Sequence, residues 1–313
     1  MANAIEKSEI LFLFESKYTI PNGDPFTGEQ RYDEETKRIL VSDVRIKRYV
    51  RDHFIAQNFL SENNEKYTVY VFNDRSQVTE GKNESGASAR MQVLWNGKKP
   101  KDKKEIPEAA LKLMQSCIDV RLFGGISTEK EAAVNITGPV QFALLNPSLN
   151  KADLRIHQNT SVFSSSTEKS RGAIGTTTVV PYAINQIHGW INPYSAQLSG
   201  LKSEDISELF SAMWKSLNNI NTRSKSNQSS VILIQIVYNE PDDKLYGTDS
   251  LISIESEKEE EQIRSMEDYS FNFEKLAEAT KSPKVKEIRF YTEIEDLKKV
   301  ISGLDPKFKE MEL

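Results

Sequence analysis

Apolar residues along this chain gather in short blocks between polar and charged stretches, and the form of each block predicts an element. Ile10-Leu-Phe-Leu-Phe14, flanked by Glu9 and Glu15, is apolar at every position, the pattern of a central strand covered on both faces. Val231-Ile-Leu-Ile-Gln-Ile-Val237 has nearly the same form. Tyr67-Thr-Val-Tyr-Val-Phe72, Thr178-Val-Val-Pro-Tyr-Ala-Ile184 and Glu287-Ile-Arg-Phe-Tyr-Thr292 predict shorter strands. The stretch 134–145 reads as a strand broken at Gly138-Pro139, where proline demands a bulge or an edge.

A period of 3.6 marks the helices. Ser42 offers an N-cap and Asp43 a first-turn acid for a helix running to about Phe59. On it Ile46, Tyr49, Val50, His53 and Phe54 share a sector of about 140°, at about 100° per residue. Lys47, Arg48 and Arg51 share the adjoining sector, so one face packs and the other is cationic. Lys47 and Arg51 lie one turn apart and repel mildly unless an anion sits between them. Residues 202–217 place Leu209, Phe210, Met213, Trp214 and Leu217 at core spacing, residues 107–122 form a helix containing Cys117, and a last helix ends near Gly303.

Between the blocks, Ile20-Pro-Asn-Gly-Asp-Pro25 cannot continue a ladder and must turn at the end of the first strand. Residues 151–178 offer little for a core, and Val162 and Phe163 stand on a polar stem like the tip of a projecting hairpin. Without the insertions, the order is strand, helix, strand, strand, helix, strand. That is the βαββαβ order of an α+β, ferredoxin-like or RRM-like domain. The expected division is a core from 1–59, 133–150, 179–239 and 284–302, an inserted finger-like subdomain at 60–132, a thumb hairpin at 151–178 and an acidic insertion at 240–283.

The chain has 313 residues with 41 basic and 46 acidic side chains, a formal net charge of −5. Residues 240–280 carry thirteen of those acids and only four bases, so a solvated acidic face or loop is expected there on an otherwise mildly basic body. The lysines at 98, 99, 101, 103 and 104 form a second basic patch. The single cysteine excludes a disulfide scaffold, and the short, acid-flanked first apolar run is unlike a signal peptide or membrane span. A soluble, cytoplasmic protein is expected. Catalytic signals are sparse. His53, His157 and His188 have no metal-ligand spacing, no phosphate-binding glycine loop or nucleophile elbow occurs, and His53 falls on the apolar helix face as a core residue. Asp24 is a lone carboxylate in a tight loop.

Six segments occur in an order that resembles a known family. They are Asn22-Gly-Asp-Pro25, Val41-Ser-Asp-Val-Arg-Ile-Lys-Arg48, Asp119-Val-Arg-Leu-Phe-Gly-Gly125, Asn135-Ile-Thr-Gly-Pro-Val-Gln-Phe142, Ile174-Gly-Thr-Thr-Thr-Val-Val-Pro-Tyr182 and Thr222-Arg-Ser-Lys225. Together they resemble the backbone subunit of the type I CRISPR Cascade complex, closest to its type I-B form. The resemblance implies a non-enzymatic protein that polymerises with copies of itself along crRNA, beside other Cascade subunits, and presents the guide to a target DNA strand. No cofactor or membrane is implied. Arg45, Lys47, Arg48 and Arg51 would meet phosphates, with Arg223, Ser224 and Lys225 extending the track and Lys169 and Arg171 adding to it from the thumb. Asn22, Gly23, Gly124 and Gly125 would let the main chain approach the RNA closely. Val162 and Phe163 would wedge against a base. Related backbone subunits of type III complexes cleave RNA through a loop acid, and Asp24 is the one candidate for such a role. The acidic stretch and the lysine patch match nothing in the resemblance.

Overall fold

The computed structural model describes residues 5–61, 66–72, 86–129, 131–160 and 174–313. Val162, Phe163, Lys169 and Arg171 lie outside them. In chain order the elements are β1 (Ser8–Thr19), β2 (Tyr32–Asp33), β3 (Arg38–Ser42), α1 (Asp43–Leu60), α2 (Ala87–Trp95), α3 (Ile106–Ser116), α4 (Ile118–Phe123), β4 (Gly124–Ser127), β5 (Val134–Thr137), β6 (Val140–Phe142), β7 (Leu145–Lys151) and β8 (Arg155–Thr160). The second half adds β9 (Ile174–Ile191), α5 (Pro193–Ser199), α6 (Ser203–Asn219), β10 (Gln228–Tyr238), β11 (Ser253–Glu255), β12 (Ser270–Asn272), α7 (Glu274–Ala279), β13 (Val285–Tyr291), α8 (Glu295–Ser302) and β14 (Phe308–Glu310).

The result is a mixed α+β protein built on a large, mostly antiparallel sheet, ordered β14-β13-β10-β1-β9-β7-β3-β2, with β6 and β8 also pairing β9. Strand β1 lies between β9 and β10, antiparallel to both. Its residues alternate between two cores, as the pleat dictates. Ile10, Phe12 and Phe14 pack under α1 and α6, whereas Leu11 and Leu13 face the opposite side with Ile252, Ile263, Phe273 and Leu276. A third cluster joins Met91, Trp95, Met114, Cys117 and Ile136.

Several expectations change. Residues 67–72 form no strand. Their backbone is held by side chains, since Tyr67 N–H donates to Asn58 Oδ1 at 2.7 Å, while Tyr70 N–H and Val71 N–H donate to the Asp119 carboxylate at 2.6 and 3.0 Å. The helix expected over 107–122 breaks at Cys117, whose extended backbone separates α3 from α4. Its thiol is fully buried and its pKa is pushed up to about 12, chiefly by burial. The break at Gly138-Pro139 separates two sheets, because β5 pairs β4 while β6 pairs β9. His53 is half-buried rather than in the core, beside Lys66, Tyr67 and Lys215. The short strand expected at 178–184 belongs to the 18-residue β9, whose polar residues Asn185, Gln186 and His188 hid its extent.

The acidic segment keeps most of its acids in water, as expected, but it is not a free loop. It lays Ile252, Ile263, Phe273 and Leu276 onto the sheet and is anchored by a buried carboxylate. Glu9 Oε2 accepts from the Thr248 hydroxyl at 2.5 Å and lies 2.7 Å from His188 Nε2, while Oε1 accepts from Tyr238 O–H at 2.7 Å. Burial opposes ionisation of Glu9, yet the hydrogen bonds from His188, Thr248 and Tyr238 outweigh it and lower the pKa below 4.5. Its stabilising contribution is therefore complete above about pH 4.5 and is lost as pH falls through the lower folded-state value. Replacing Glu9 with Ala is expected to lower unfolding free energy by about 3 kcal/mol, and Glu9→Gln to flatten the loss of stability between pH 5 and 3. Urea midpoints across that range measure both.

Candidate nucleic-acid interface

Three segments meet at the end of β1. The chain turns through residues 20–24, and the turn after α6 lies against it, with Ile20 N–H and the Thr19 hydroxyl donating to the Ser224 carbonyl at 2.9 and 2.7 Å. The Lys225 ammonium donates to the Ile20 carbonyl, and the Tyr49 hydroxyl of α1 donates to the Pro21 carbonyl at 3.2 Å. Arg45, one turn before Tyr49, lays its guanidinium over the Tyr49 ring, 4.0 Å from its centre. Arg45 Nε is buried without a hydrogen-bond partner. Neither Arg45 nor Lys225 pairs with a carboxylate among the described residues, in contrast to Lys47, Arg48 and Arg51. The Lys225 pKa falls to about 8, through burial first and the nearby Arg45 charge second. Two neighbouring cations without a counter-charge make a site that favours an anion.

The remaining cations of α1 are arranged differently. Arg48 is exposed and pairs with Asp52 at 2.6 Å. Lys47 and Arg51 turn inward around the Phe123 ring, each with a side chain little more than a tenth exposed. Lys47 bonds Asp43 at 3.2 Å and Gln141 at 2.8 Å, and Arg51 bonds the wholly buried Asp119 at 2.9 Å. Asp119 is thus a junction, taking the Arg51 charge together with the two backbone donors from 70–71. Its position inside Ile118-Asp-Val120, an acid among apolar residues, was the one sequence signal that a cation had to be committed to it.

The glycines also divide. A Cβ on Gly124 would come within 2.2 Å of the Ile136 carbonyl oxygen, so the protein's own packing demands that glycine, whereas one on Gly125 would come within 3.2 Å of the Met114 side chain, a tight contact that a small shift could relieve. Gly23 would meet only ordinary contacts, and its bare backbone is not required by the fold. The Asn22 side chain is committed to the start of α1, where Oδ1 accepts from Ser42 N–H and Oγ–H at 2.6 and 2.7 Å. Arg223 is exposed on the 222–226 turn. Asp24 has both oxygens engaged, Oδ1 by Phe26 N–H at 2.9 Å and Oδ2 by Arg31 at 3.0 Å. The Phe26 backbone bond, then those of Thr27 and the Arg31 charge, hold its pKa below the usual range. Among the described residues no group of His, Cys, Asp and Glu is placed to hold a metal ion, and no helix is long and apolar enough to cross a membrane.

Fold and site together define an α+β protein with an anion-seeking cation pair at the end of its central strand. The chain belongs to the family described as CRISPR-associated protein Cas7, which it matches over residues 6–274. A CRISPR-associated protein Cas7 from Haloferax volcanii is 26% identical over 295 residues, covering 88% of this chain and 82% of the relative. The fold resembles a chain of a CRISPR RNA-guided surveillance complex, with a TM-score of 0.54 at 14% identity over 98% of this chain and 95% of the other. A chain of such a complex in a pre-nicking state gives a TM-score of 0.55 at 13% identity over 98% and 96%.

Removing the Asp119 carboxylate strands Arg51 and two backbone donors. Asp119→Ala is expected to cost about 3 to 5 kcal/mol, measured by urea unfolding. Replacing the exposed Arg48 with Ala should change stability by less than about 1 kcal/mol.

Proposed function

We propose that this chain is a non-catalytic backbone subunit of an RNA-guided surveillance complex of the type I-B Cascade kind, acting in antiviral defence in the cytoplasm. Copies of it line up along crRNA beside other Cascade subunits and hold the guide for pairing with a target DNA strand. Family membership supports the setting. The observation that carries the RNA contact is the pairing of Arg45 with Lys225, two cations without a carboxylate, next to the open backbone at Gly23. Contacts of this kind read phosphate and not base identity, as a subunit serving every guide requires.

In this reading β10, β1, β9 and β6, with α1 and α6 on one face, make up a ferredoxin-like or RRM-like core, supported by the antiparallel pairing of β1 with both β9 and β10. Residues 60–132 form the finger-like insertion and residues 151–178 the thumb, whose Val162, Phe163, Lys169 and Arg171 meet the RNA. Arg48, Arg223 and Ser224 extend the phosphate track. Lys47 and Arg51 flank it from positions held by Asp43 and Asp119, so the sharper test lies with Arg45 and Lys225. For Asp24, the bonds to Phe26 and Arg31 favour a role in shaping the loop over RNA cleavage.

Exchanging both Arg45 and Lys225 for Ala is expected to weaken single-stranded RNA binding equally for unrelated sequences and to reduce the slope of log affinity against log salt by about 1.4. Fluorescence anisotropy over a salt series measures this, and an unchanged slope counts against the pair. A bound phosphate raises the Lys225 pKa from about 8, so RNA binding takes up a proton there. Affinity should accordingly fall roughly ten-fold between pH 7 and 9.5, and less in Lys225→Arg.

A further inference from the structure

Phe26 is the most exposed large hydrophobic side chain among the described residues, 97% accessible. It does not hang from a loose loop. Asp24 N–H donates to the Glu29 carbonyl at 2.7 Å and Gly28 N–H to the Asp24 carbonyl at 2.8 Å, closing the turn, while Gly28 takes the positive φ that it needs. The Asp24 carboxylate accepts from Phe26 N–H at 2.9 Å and is clamped from behind by Arg31 at 3.0 Å. A bridge between Gly23 and Gln30 fastens the base of the turn. The ring is therefore held in water by an ordered backbone, and a ligand stacking on it would pay little further ordering cost.

The root of this turn is also the floor of the cation pair. The Ile20 carbonyl takes the Lys225 ammonium and the Pro21 carbonyl takes the Tyr49 hydroxyl beneath Arg45, five or six residues before Phe26. An exposed aromatic on a turn rooted at paired, uncompensated cations presents the two chemistries a nucleic-acid strand offers, a π face and a phosphate. A protein partner would need an apolar surface around the ring. Along the turn its neighbours are Asp24, Pro25, Thr27, Gly28, Glu29 and Arg31, of which only Pro25 is apolar.

We propose that Phe26 is a stacking platform for an unpaired base of the single-stranded nucleic acid whose phosphates rest on Arg45 and Lys225. This deepens the RNA-binding reading above and rests on it. The contact is blind to base identity because every base presents a π face, and it adds affinity without adding charge.

The test uses Phe26→Trp and Phe26→Leu in the full chain with oligo-U and oligo-A. Indole fluorescence of Phe26→Trp, taken as the difference from wild type, should be quenched on adding either oligonucleotide. Phe26→Leu should weaken binding by roughly five- to a hundred-fold while leaving the salt slope unchanged. Circular dichroism and urea midpoints matching wild type would show that the leucine variant folds, as an exposed position predicts. Wild-type affinity in Phe26→Leu with no quench in Phe26→Trp overturns the stacking role and leaves the phosphate reading standing. Failure of the wild-type chain itself to bind RNA sinks both. A Phe26→Leu variant with intact RNA affinity but weaker self-association in sedimentation overturns the proposal in favour of a contact between copies.

Discussion

Everything in this protein is located relative to β1, a strand hydrogen-bonded along both edges and covered on both faces. The constraint is severe, because a slip of one residue would exchange the Ile10, Phe12 and Phe14 face for that of Leu11 and Leu13 and place each set against the wrong core. Fixing the strand fixes both its ends. At one end Glu9 gathers β9, β10 and the acidic segment onto a single buried carboxylate. At the other, Thr19 and Ile20 hold the 222–226 turn in place and bring Lys225 up to Arg45. The cation pair is thus a consequence of strand register, since its two members are 180 residues apart in the chain.

Much of the framework was legible in the sequence because it obeys one period at a time. The uniform apolar runs of β1 and β10 and the 3.6 spacing of α1 and α6 need no distant partner to be recognised. Residues 67–72 have the composition of a strand, yet their backbone donors are taken by Asn58 and Asp119, and no local pattern announces a side chain acting in place of a neighbouring strand. The acidic segment misled for a related reason. Its charges are numerous and its apolar residues sparse, and Ile252, Ile263, Phe273 and Leu276 reach the sheet from separate turns and short elements, Leu276 alone from a helix, so no single period links them.

The candidate site was partly legible. A cationic face on α1 could be read from spacing, but spacing cannot say which charges the fold has already neutralised. Asp119 lies 68 residues beyond Arg51, and its claim on that guanidinium exists only once α4 has packed beside α1. The same holds for the glycines. Spacing offers Gly124 and Gly125 as places for a ligand, and it cannot show that β5 crowds Gly124 or that side chains of α3 and α4 lie against Gly125. Arg45 lies outside the sector shared by Lys47, Arg48 and Arg51, yet it has the least compensated charge of the four. Phe26 drew no notice, since an aromatic between Pro25 and Gly28 reads as loop punctuation.

The kink at Cys117 has a practical side. This is the only sulfhydryl in the chain, it has no accessible surface, and its pKa of about 12 leaves almost no thiolate at neutral pH. Maleimide reagents should pass over the native protein, so a cysteine introduced elsewhere could take a dye or crosslinker alone, without first removing the natural one. Whatever slow alkylation Cys117 does undergo would then time the spontaneous opening of the layer formed by α2, α3 and α4.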